Sequence, residues 1–478
     1  MLYNLNFLKK GAIFPPESEI KRLDAYKINK MLLDDECWSA LPEYKKRVLY
    51  ILSNFSLEIP NVYLYNSNYW SDVVKKFQEL TFGEKPEINT IQEYKELFEI
   101  YEKTGFFQKC KSGCEDFIAL GDWVTKIIET ESGNDFLNVD PATWYPVVAE
   151  ENVKEIKYHV FAWISKVDGD KYELRVQIHE KGKYTNRAFK ISNYNNESYY
   201  VVHSTKQKIY CPTYEIGDEI LIQLNENASF KLGTFQTGLD DFAVVFSANN
   251  ESTRKINGTS DFDNVTDAIM EYNVRMTLKN VVLDKHSAPK MYGPQIVGDG
   301  SVGNYLEVLQ GETAPGYLVW DASMQSVENT LVALKDDISN LSGLGSLLSS
   351  KTFGESQGYD ALMIKLSPAI MRSAGKKVVL ERHLKKLISL LSKKDGKEIS
   401  TKDISITWHD GIPITESAKA DIAQKHLSTG WSYKRVLIND YGFDEKTAEE
   451  IIEEKRLETP VIPTFGINDE EDTDEEEF

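Results

Sequence analysis

Cysteine is scarce in this sequence, with four residues among 478: Cys37, Cys110, Cys114 and Cys211. So few cysteines cannot form the dense disulfide framework of a small secreted protein. Cys110 and Cys114 lie four residues apart in a segment that we predict to be helical, so their side chains share one helix face. Because no second pair of metal ligands lies nearby, we interpret them as thiols in a reducing cytoplasm rather than as a zinc site.

Long apolar runs are also missing. No stretch of 18 apolar residues occurs, so the sequence predicts no membrane span and no membrane partner. The first eleven residues, MLYNLNFLKKG, lack the apolar core of a signal peptide. We therefore expect the protein to be cytoplasmic when it is made.

Positive charge is in deficit, with 55 Lys and Arg against 75 Asp and Glu and a formal net charge of −20. Eight of the negative charges lie in residues 469–477. A static clamp on nucleic acid needs a basic patch that displaces counterions, so this balance argues against one. A surface past which DNA slides is compatible with it, because tight phosphate binding would hinder sliding.

The local signatures of common enzymes are absent. The sequence contains no phosphate-binding G-x-x-x-x-G-K-[ST] loop, no G-x-G-x-x-G after a strand, no H-E-x-x-H, no G-x-S-x-G and no kinase motif set. The adjacent pairs His179–Glu180 and His409–Asp410 would point in different directions on a strand. We therefore predict no catalytic residue, no metal site and no cofactor.

The spacing of apolar residues changes along the chain. Between 18 and 132 they recur every three or four positions, as in 68–79 and 91–103, and this spacing predicts helices that continue through 117–129. Between 135 and 247, short β-branched and aromatic runs alternate with turn residues, which is typical of antiparallel strands. Five such strands are predicted at 153–165, 172–179, 187–191, 219–224 and 242–246. The order of helices before a sheet indicates an α+β fold.

Long helices are predicted after residue 261. One covers 263–286, and a second covers 323–341, where Val327, Leu331, Leu334, Ile338 and Leu341 repeat at spacings of four and three. Such a seam is compatible with a short coiled coil or with an ordinary amphipathic helix. Between the two helices, the segments 305–309 and 317–320 predict a β-hairpin.

A loop of small residues at 342–358 precedes a third long helix. We predict that this helix begins at 359, is interrupted or kinked at Pro368 with Ser367 as a cap, and continues to about 394. A strand at 404–408 and helices at 415–427, 432–440 and 444–457 follow. The acidic end of the chain is predicted to be disordered.

Six short motifs occur in an order that resembles the portal proteins of siphovirus-type tailed bacteriophages. The resemblance covers roughly residues 35–458. The motifs are G-T-S-D-F-D-N-V at 258–265, E-Y-N at 271–273, H-S-A-P ending at Pro289, E-S-Q-G-Y-D-A-L at 355–362, I-T-W-H-D-G-I-P at 406–413 and the Glu-rich end of a helix-turn-helix at 449–454.

This resemblance implies a ring-forming subunit with named parts. In such a subunit a mixed helix and antiparallel-sheet wing is followed by long stem helices, a small β-containing clip and a helical crown. The implied bounds are a wing at 1–260 with the strand 404–413, stem helices at 261–287 and 322–342, a clip at 288–321, a tunnel loop at 343–358, a kinked helix at 359–403 that joins tunnel loop to wing, a crown at 414–460 and a disordered acidic tail at 461–478.

The resemblance also implies partners. Twelve copies would form a ring at one capsid vertex of the virion, assembled in the host cytoplasm. Double-stranded DNA would pass through the ring in both packaging and ejection, without sequence-specific binding. The terminase large subunit, the head–tail adaptor and the major capsid and scaffolding proteins would dock on it.

Within the resemblance, some residues are candidates for contact with DNA or with partners. The tunnel-loop candidates are Ser346, Ser349, Ser350, Lys351 and Thr352, which are small apart from one lysine that would attract phosphates weakly. An ordinary solvated lysine at position 351 is an equal alternative. The candidates for the channel wall are Lys279 and Lys285, for which pairing with an acidic side chain of a neighbouring subunit is the favoured alternative. Those for clip and partner docking are Tyr305, Leu306, Tyr317 and Trp320.

Two other functions are left open by the residues alone. One is an enzyme of unknown class with a β-rich core and a helical lid, and the other is a non-viral α+β scaffold or interaction protein without catalysis. The portal hypothesis predicts rings, the enzyme predicts a monomer or dimer with a substrate pocket, and the scaffold predicts neither. The acidic tail has two interpretations as well, a solvated tail or a segment that repels DNA or binds a basic partner.

Overall fold

A computed structural model describes most of the chain, which divides into two compact units, 1–411 and 412–478. The described residues are 1–54, 63–89, 101, 105–131, 133–168, 171–193, 198–202, 207–221, 230–286, 291–294, 305–308, 316–317, 324–348, 359–409, 416–443 and 445–458. Within these ranges, no helix is both long enough and apolar enough to cross a membrane.

The helices of the first unit form two groups, one before the sheets and one after them. Their starts carry ordinary signals: Asn68 accepts a hydrogen bond from the backbone N–H of Ser71, and Pro42 occupies a first-turn position. The helices are α1 (Glu17–Leu33), α2 (Cys37–Ala40), α3 (Pro42–Ser53), α4 (Tyr69–Phe82), α5 (Phe106–Ala119), α6 (Thr266–His286), α7 (Met324–Ser342) and α8 (Tyr359–Lys394).

The strands are mostly antiparallel and lie largely between the two helix groups. They are β1 (Ile13–Phe14), β2 (Glu87–Asn89), β3 (Asp122–Thr130), β4 (Gly133–Val139), β5 (Trp144–Val148), β6 (Ile156–Asp168), β7 (Lys171–Glu180), β8 (Lys183–Asn193), β9 (Ser198–Val202), β10 (Gln207–Cys211), β11 (Tyr214–Glu219), β12 (Gly233–Gln236), β13 (Val244–Ala248), β14 (Met291–Pro294), β15 (Tyr305–Val308), β16 (Gly316–Tyr317) and β17 (Ser405–Thr407).

The largest sheet has the order β1-β11-β8-β7-β6-β5, with β12 also paired to β8. A second sheet has the order β13-β3-β4, and β17 pairs with β2. The mixed helix and antiparallel-sheet fold predicted from the sequence is confirmed. So is the strand near 404–408, which is present as β17.

Both faces of the largest sheet are buried at β6, the strand next to the β5 edge. Val160 and Ala162 pack on one face with side chains of β7 and β8, such as Leu174. Phe161, between them in sequence, points to the other face and packs with Trp144 and neighbouring side chains of β13. This alternation follows from the two-residue period of a strand. The face that carries Phe161 packs against the second sheet.

One predicted helix is wrong. Residues 117–129 do not continue α5, which ends at Ala119. Gly121 takes a left-handed φ of +91° and lies against the backbone of Thr259, where an added Cβ would come within 2.7 Å. The following residues form β3, the central strand of its sheet. Pairing on both edges outweighs the helix-like spacing of the apolar residues.

The predicted hairpin of 305–309 and 317–320 is also wrong in its pairing. The strand β14 lies between the two arms, pairing parallel with β15 and antiparallel with β16. The sequence Met-Tyr-Gly-Pro of β14 has no period-two alternation and contains two strand-disfavouring residues, so it carried no signal. The segment is a small three-stranded sheet.

The helix predicted to restart at Pro368 is one uninterrupted helix, α8, and Ser367 is not its cap. Proline lacks the N–H that would bond the carbonyl of Ile364, four residues earlier. The hydroxyl of Ser367 donates to that carbonyl instead, at 2.8 Å. This substitute hydrogen bond lets the helix continue through the proline.

In its described residues the second unit has three helices, close to their predicted bounds: α9 (Glu416–Ser428), α10 (Tyr433–Asn439) and α11 (Glu445–Glu458). The predicted cap at Ser432 is confirmed, because its side chain accepts from the N–H of Arg435. His426 of α9 contacts Asp440 at 2.8 Å and stacks on Trp431 with ring centroids 4.3 Å apart. These contacts fasten α9 to the end of α10.

Candidate functional site

The long helices α6 and α7 form an antiparallel pair. Lys279 near the end of α6 forms an ion pair with Glu328 near the start of α7. Further along, Lys335 of α7 lies over the ring of Tyr272 of α6, 5.6 Å from its centroid. The earlier residue of α6, Tyr272, thus contacts the later residue of α7, Lys335, so the two helices run in opposite directions.

Only one end of this helix pair is covered by the chain's own described residues. In α6, Ile269, Met270 and Val274 are fully buried, whereas no described residue after Thr277 is. In α7, the residues before Leu331 are likewise unburied. The pair therefore projects from the body at the end that leads to β14–β16, and this projecting half is where α6 and α7 leave surface for other contacts.

The apolar seam predicted on α7 is present for most of its length. Leu331 and Ile338 are buried, and Val327 and Leu334 are partly buried. Leu341, the last member of the predicted seam, is instead 45% exposed. An ordinary amphipathic helix packed against α6 explains this arrangement.

The glycine-rich segment after α7 begins as an ordered turn. Gly343 has a φ of +72°, and an added Cβ would lie 2.4 Å from Cδ of Arg372 on α8. Leu344 is fully buried, its N–H donates to Oγ of Ser342, and a short 3₁₀ helix follows at Gly345–Leu348. The first residues of the segment are therefore fixed on the body, whatever lies beyond residue 348.

A buried ion cluster holds α8 to the segment that precedes α6. Lys376 of α8 lies 2.6 Å from Oδ2 of Asp261, and Arg372 donates to Oδ1 at 3.1 Å. Lys376 also donates to Oδ1 of Asn249 at 2.7 Å, and Asn250 donates to Asp261 at 3.2 Å. Asp261 is the fourth residue of the G-T-S-D-F motif, so the motif marks an anchoring point in the fold.

The charges in this cluster stabilise one another. Burial alone would raise the pKa of Asp261, but Lys376 and Arg372 outweigh it and hold the pKa below its ordinary value. Burial lowers the pKa of Lys376, and the nearby Asp261 carboxylate offsets part of that effect. The ammonium also lies 4.9 Å from the ring centroid of Phe77. Each charge of the pair therefore favours the ionised form of the other.

A buried histidine attaches the same helix to the second sheet. His383 stacks on Trp123 of β3, with centroids 3.7 Å apart and ring planes within 7° of parallel. Its Nε2 contacts the hydroxyl of Thr125 at 3.1 Å and its Nδ1 contacts that of Ser247 at 2.9 Å. Burial lowers the pKa of His383 to about 3, so the ring is neutral and serves to connect elements.

The start of β3 is tied to the G-T-S-D-F segment by a buried carboxylate. Asp122 accepts hydrogen bonds from the N–H of Gly258 at 2.8 Å and from Asn257 at 3.0 Å. The hydroxyl of Tyr26 also donates to it. Burial raises the pKa of Asp122, and these donors offset part of the rise. The backbone before α6 is thus fixed to both α8 and β3.

The two cysteines predicted to share a helix face do so and are buried. Cys110 and Cys114 lie on α5, and Cys114 contacts Thr81 at 3.7 Å. Burial raises the pKa of Cys114 to about 12, which keeps the thiol protonated. In the part of the chain that the structure describes, no group of three or more His, Cys, Asp or Glu residues could hold a metal ion.

The structure places some of the predicted site residues and leaves others outside its described part. Ser346 lies in the turn Gly345–Leu348, Lys285 in the last turn of α6, Tyr305 and Leu306 in β15, and Tyr317 in β16. Lys279 forms an ion pair with Glu328 of its own chain. Five candidates lie outside the described residues: Trp320, Ser349, Ser350, Lys351 and Thr352.

The anchoring residues Asp261, Arg372, Lys376 and His383 were not predicted. The three on α8 are spaced by four and seven residues, so they share a helix face. A cationic residue on an apolar helix face is a recognisable signal, but it does not identify the buried acid that pairs with it. Asp261 lies more than a hundred residues away in sequence, and only the fold brings it to Lys376.

Comparison with protein families gives a match over most of the chain. Residues 64–460 match the family described as phage portal protein, SPP1 Gp6-like. The chain belongs to this family. As a phage portal protein it is a component of the phage particle, which confirms the resemblance seen in the sequence motifs.

Two further comparisons complete this result. A chain from a solved structure described as the neck of an empty GTA particle, computed with C6 symmetry, is similar to the portal chain with 9% sequence identity and a TM-score of 0.44. The match covers 82% of this portal chain and 93% of that chain. No curated protein sequence matches.

Proposed function

We propose that twelve copies of this chain form a ring at one capsid vertex, through which double-stranded DNA is packaged and later ejected. The family match over 64–460 carries this proposal. It is supported by the antiparallel α6–α7 pair, which projects beyond the body, and by the anchored turn that follows it. The ring would assemble in the host cytoplasm and remain in the virion.

The parts of the ring follow the order of the chain in this proposal. The sheets and the helices before 260, with β17, form the wing, and α6 and α7 form the stem around the channel. The small sheet β14–β16 forms the clip, on which the terminase large subunit and the head–tail adaptor dock. The helices α9 to α11 form the crown, and major capsid and scaffolding proteins contact the outer wing.

Native mass spectrometry of the purified chain tests the ring directly. The expected result is one closed oligomer with a mass near twelve subunits, or a neighbouring number for rings assembled without a capsid. A monomer or dimer at every concentration would contradict the proposal and would favour the enzyme or scaffold alternatives.

We further propose that residues 343–358 face DNA, with Lys351 attracting the phosphate backbone weakly while the serines and Thr352 allow it to move. The anchored Gly343–Leu348 turn supports this, because it would hold the base of the segment at a fixed position in every subunit. A single cation per subunit gives a weak, salt-dependent attraction without sequence-specific contacts.

Replacing Lys351 with Glu in the phage tests this contact. The length of packaged DNA, measured on a gel after capsid lysis, is expected to fall or packaging to fail, since twelve new carboxylates would repel phosphates. Lys446→Glu, at a highly exposed position of α11, is the matched control and is expected to package normally. Full-length DNA in the Lys351→Glu particle would refute the assignment.

A further inference from the structure

A polar cavity of about 330 Å³ is formed where the second sheet meets the largest sheet. The polar side chains that line it come from β3, β7, β8, the end of β12 and the end of α8, and they include Lys126, Gln177, His179, Tyr184, Gln236 and Lys394. A water molecule takes up about 30 Å³ in the liquid, so the cavity has room for a small polyatomic ion and several waters. None of these residues belongs to the α6–α7 pair or to the segment proposed to face DNA.

Lys126 is a cation without an acidic partner in the described part of the chain. Its ammonium donates to Oε1 of Gln177, a neutral amide, at 2.7 Å. Burial lowers the pKa of Lys126, and no neighbouring carboxylate offsets that effect. Glu129 also lines the cavity, but its side chain is 73% exposed and pairs with Lys394 at 2.7 Å. An ammonium has three N–H donors, so Lys126 can still donate to an anion.

The hydrogen bonds around Gln177 fix the tautomer of His179. The carbonyl of Lys231 accepts from Nδ2 of Asn186 at 2.8 Å, so Oδ1 of Asn186 accepts from Nε2 of Gln177 at 3.0 Å. Oε1 of Gln177 therefore faces Nε2 of His179 at 3.2 Å, and that nitrogen must carry the hydrogen. Burial and the nearby Lys126 charge hold the pKa of His179 well below its ordinary value, so the ring is neutral. Nδ1 is left with a lone pair and no hydrogen.

This Nδ1 atom is an unused hydrogen-bond acceptor. His179 is only 2% exposed, and among the described residues its Nδ1 has no hydrogen-bond partner. Leaving a buried acceptor unsatisfied costs free energy, which a suitable donor would recover. His179 and Lys126 line the same cavity. A ligand that serves both must accept a hydrogen bond from an ammonium and donate one to an imidazole nitrogen.

We propose that this cavity binds inorganic phosphate, with one phosphate oxygen accepting from Lys126 and an O–H of the ion donating to Nδ1 of His179. Inorganic phosphate keeps at least one O–H at neutral pH. Sulfate has the same tetrahedral shape and carries none. The phosphodiesters of DNA carry none either, and a phosphomonoester loses its last proton near about pH 6. The site therefore selects free phosphate over sulfate and over the phosphates of nucleic acid.

Isothermal titration calorimetry of the purified full-length chain tests this selection, in chloride buffer of constant ionic strength at about pH 7.5, above the last pKa of a phosphomonoester. Sodium phosphate is expected to bind saturably with a Kd of about 1 mM or tighter. Sodium sulfate and glycerol 2-phosphate should bind at least about tenfold more weakly, because neither can donate to the buried Nδ1. The absence of saturable phosphate binding would overturn the inference, and so would equal affinity for either of the other two ions.

Two variants assign the binding to this cavity. Lys126→Met removes the ammonium and is expected to weaken phosphate binding at least about tenfold. Without phosphate it should unfold at a temperature no lower than wild type, since it removes a partly buried charge that has no acidic partner. His179→Phe keeps a ring that stacks on Tyr184 but has no Nδ1, so it should bind phosphate and sulfate alike.

Lys157→Met, at an exposed position of β6, is the matched control and should bind phosphate as wild type does. Phosphate affinity that is unchanged in Lys126→Met, or that falls equally in Lys157→Met, would overturn the assignment to this cavity. The wild-type comparison of phosphate with sulfate needs no substitution, so it decides the inference even if a variant does not fold. Ring formation is a separate measurement, so failure here leaves the proposed portal function intact.

Discussion

Lys376 and Asp261 show how a charge can be stable inside this protein. Both are almost completely removed from solvent, and each depends on the other and on Asn249, Asn250 and Arg372 for its polar contacts. Removing one partner leaves an unpaired buried charge, which costs more than the pair contributes as a whole. The two residues should therefore be strongly coupled.

A double-mutant cycle measures that coupling. We expect Asp261→Asn to lower the free energy of unfolding by about 3–5 kcal/mol, because it leaves the buried Lys376 ammonium unpaired. Lys376→Met should cost less, because Arg372 still pairs with Asp261. The double variant should lose clearly less than the sum of the two. Urea unfolding of the four proteins at neutral pH gives the values, and additive losses would contradict the coupling.

His383 makes stability depend on pH in a defined direction. The unfolded chain binds a proton at this histidine below pH 6.5, whereas the folded chain does so only near pH 3. Its contribution to the free energy of unfolding is therefore complete above pH 6.5 and declines by about 1.4 kcal/mol per pH unit as the pH falls towards 3. Glutamine keeps hydrogen-bonding capacity but does not titrate.

The destabilisation caused by His383→Gln should consequently shrink by roughly 2 kcal/mol between neutral pH and about pH 5. Urea unfolding of wild type and variant at both pH values measures it. Trp123→Phe, which removes the stacked partner without removing a titrating group, is the control and should cost the same at both. An equal cost of His383→Gln at the two pH values would show that the histidine is not held neutral.

Contacts between individual residues far apart in the chain were the features that the sequence predicted least well. The G-T-S-D-F motif indicated the family, but nothing local to Asp261 shows that it is buried against Lys376 and Arg372. Long-range pairs of this kind are fixed by how α8 crosses the body. Conversely, the shared face of Cys110 and Cys114 depends only on helix geometry, and the sequence predicted it correctly.

At the scale of elements, the turn after α7 joins two long helices through a contact that only glycine permits. Gly343 and Gly396 both follow a long helix with a positive φ, of +72° and +76°. Of the two, only Gly343 has a neighbouring side chain, that of Arg372, where an added Cβ would lie. Comparing substitutions at the two glycines therefore separates the free-energy cost of the left-handed backbone conformation from the cost of the steric contact with Arg372.

Replacing each glycine with alanine compares those costs. Gly396→Ala should lower the free energy of unfolding by about 1 kcal/mol, the penalty for a left-handed L-residue. Gly343→Ala should cost at least about 2 kcal/mol, since its Cβ displaces Arg372 from Asp261 as well. Equal losses in thermal or urea unfolding would mean that the Arg372 contact is not tight.

Elements with a long, regular apolar period were predicted well, and those set by tertiary pairing were not. The helices α6 and α7 and the strands β6 to β8 have clear periods of 3.6 or 2 and were found near their predicted bounds. The strand β3 has helix-like spacing and is a strand because β4 and β13 pair with both of its edges. At Pro368 the sequence predicted an interruption, but the Ser367 hydroxyl compensates for it.

For the whole molecule, the central claim is that copies of this portal protein close into a ring with α6 and α7 around its channel. The membership of the family comes from residues 64–460, and in the far half of the α6–α7 pair no residue that the structure describes is fully buried. No local sequence pattern specifies this, because a contact between copies depends on two faces that the fold brings to the outside.

Negative-stain imaging of the purified full-length chain tests that claim most directly. The account predicts ring-shaped particles with a stained central hole in top views and a narrow projection, formed by α6 and α7, in side views. Uniform particles of single-subunit size at every protein concentration, with no central hole, would contradict it.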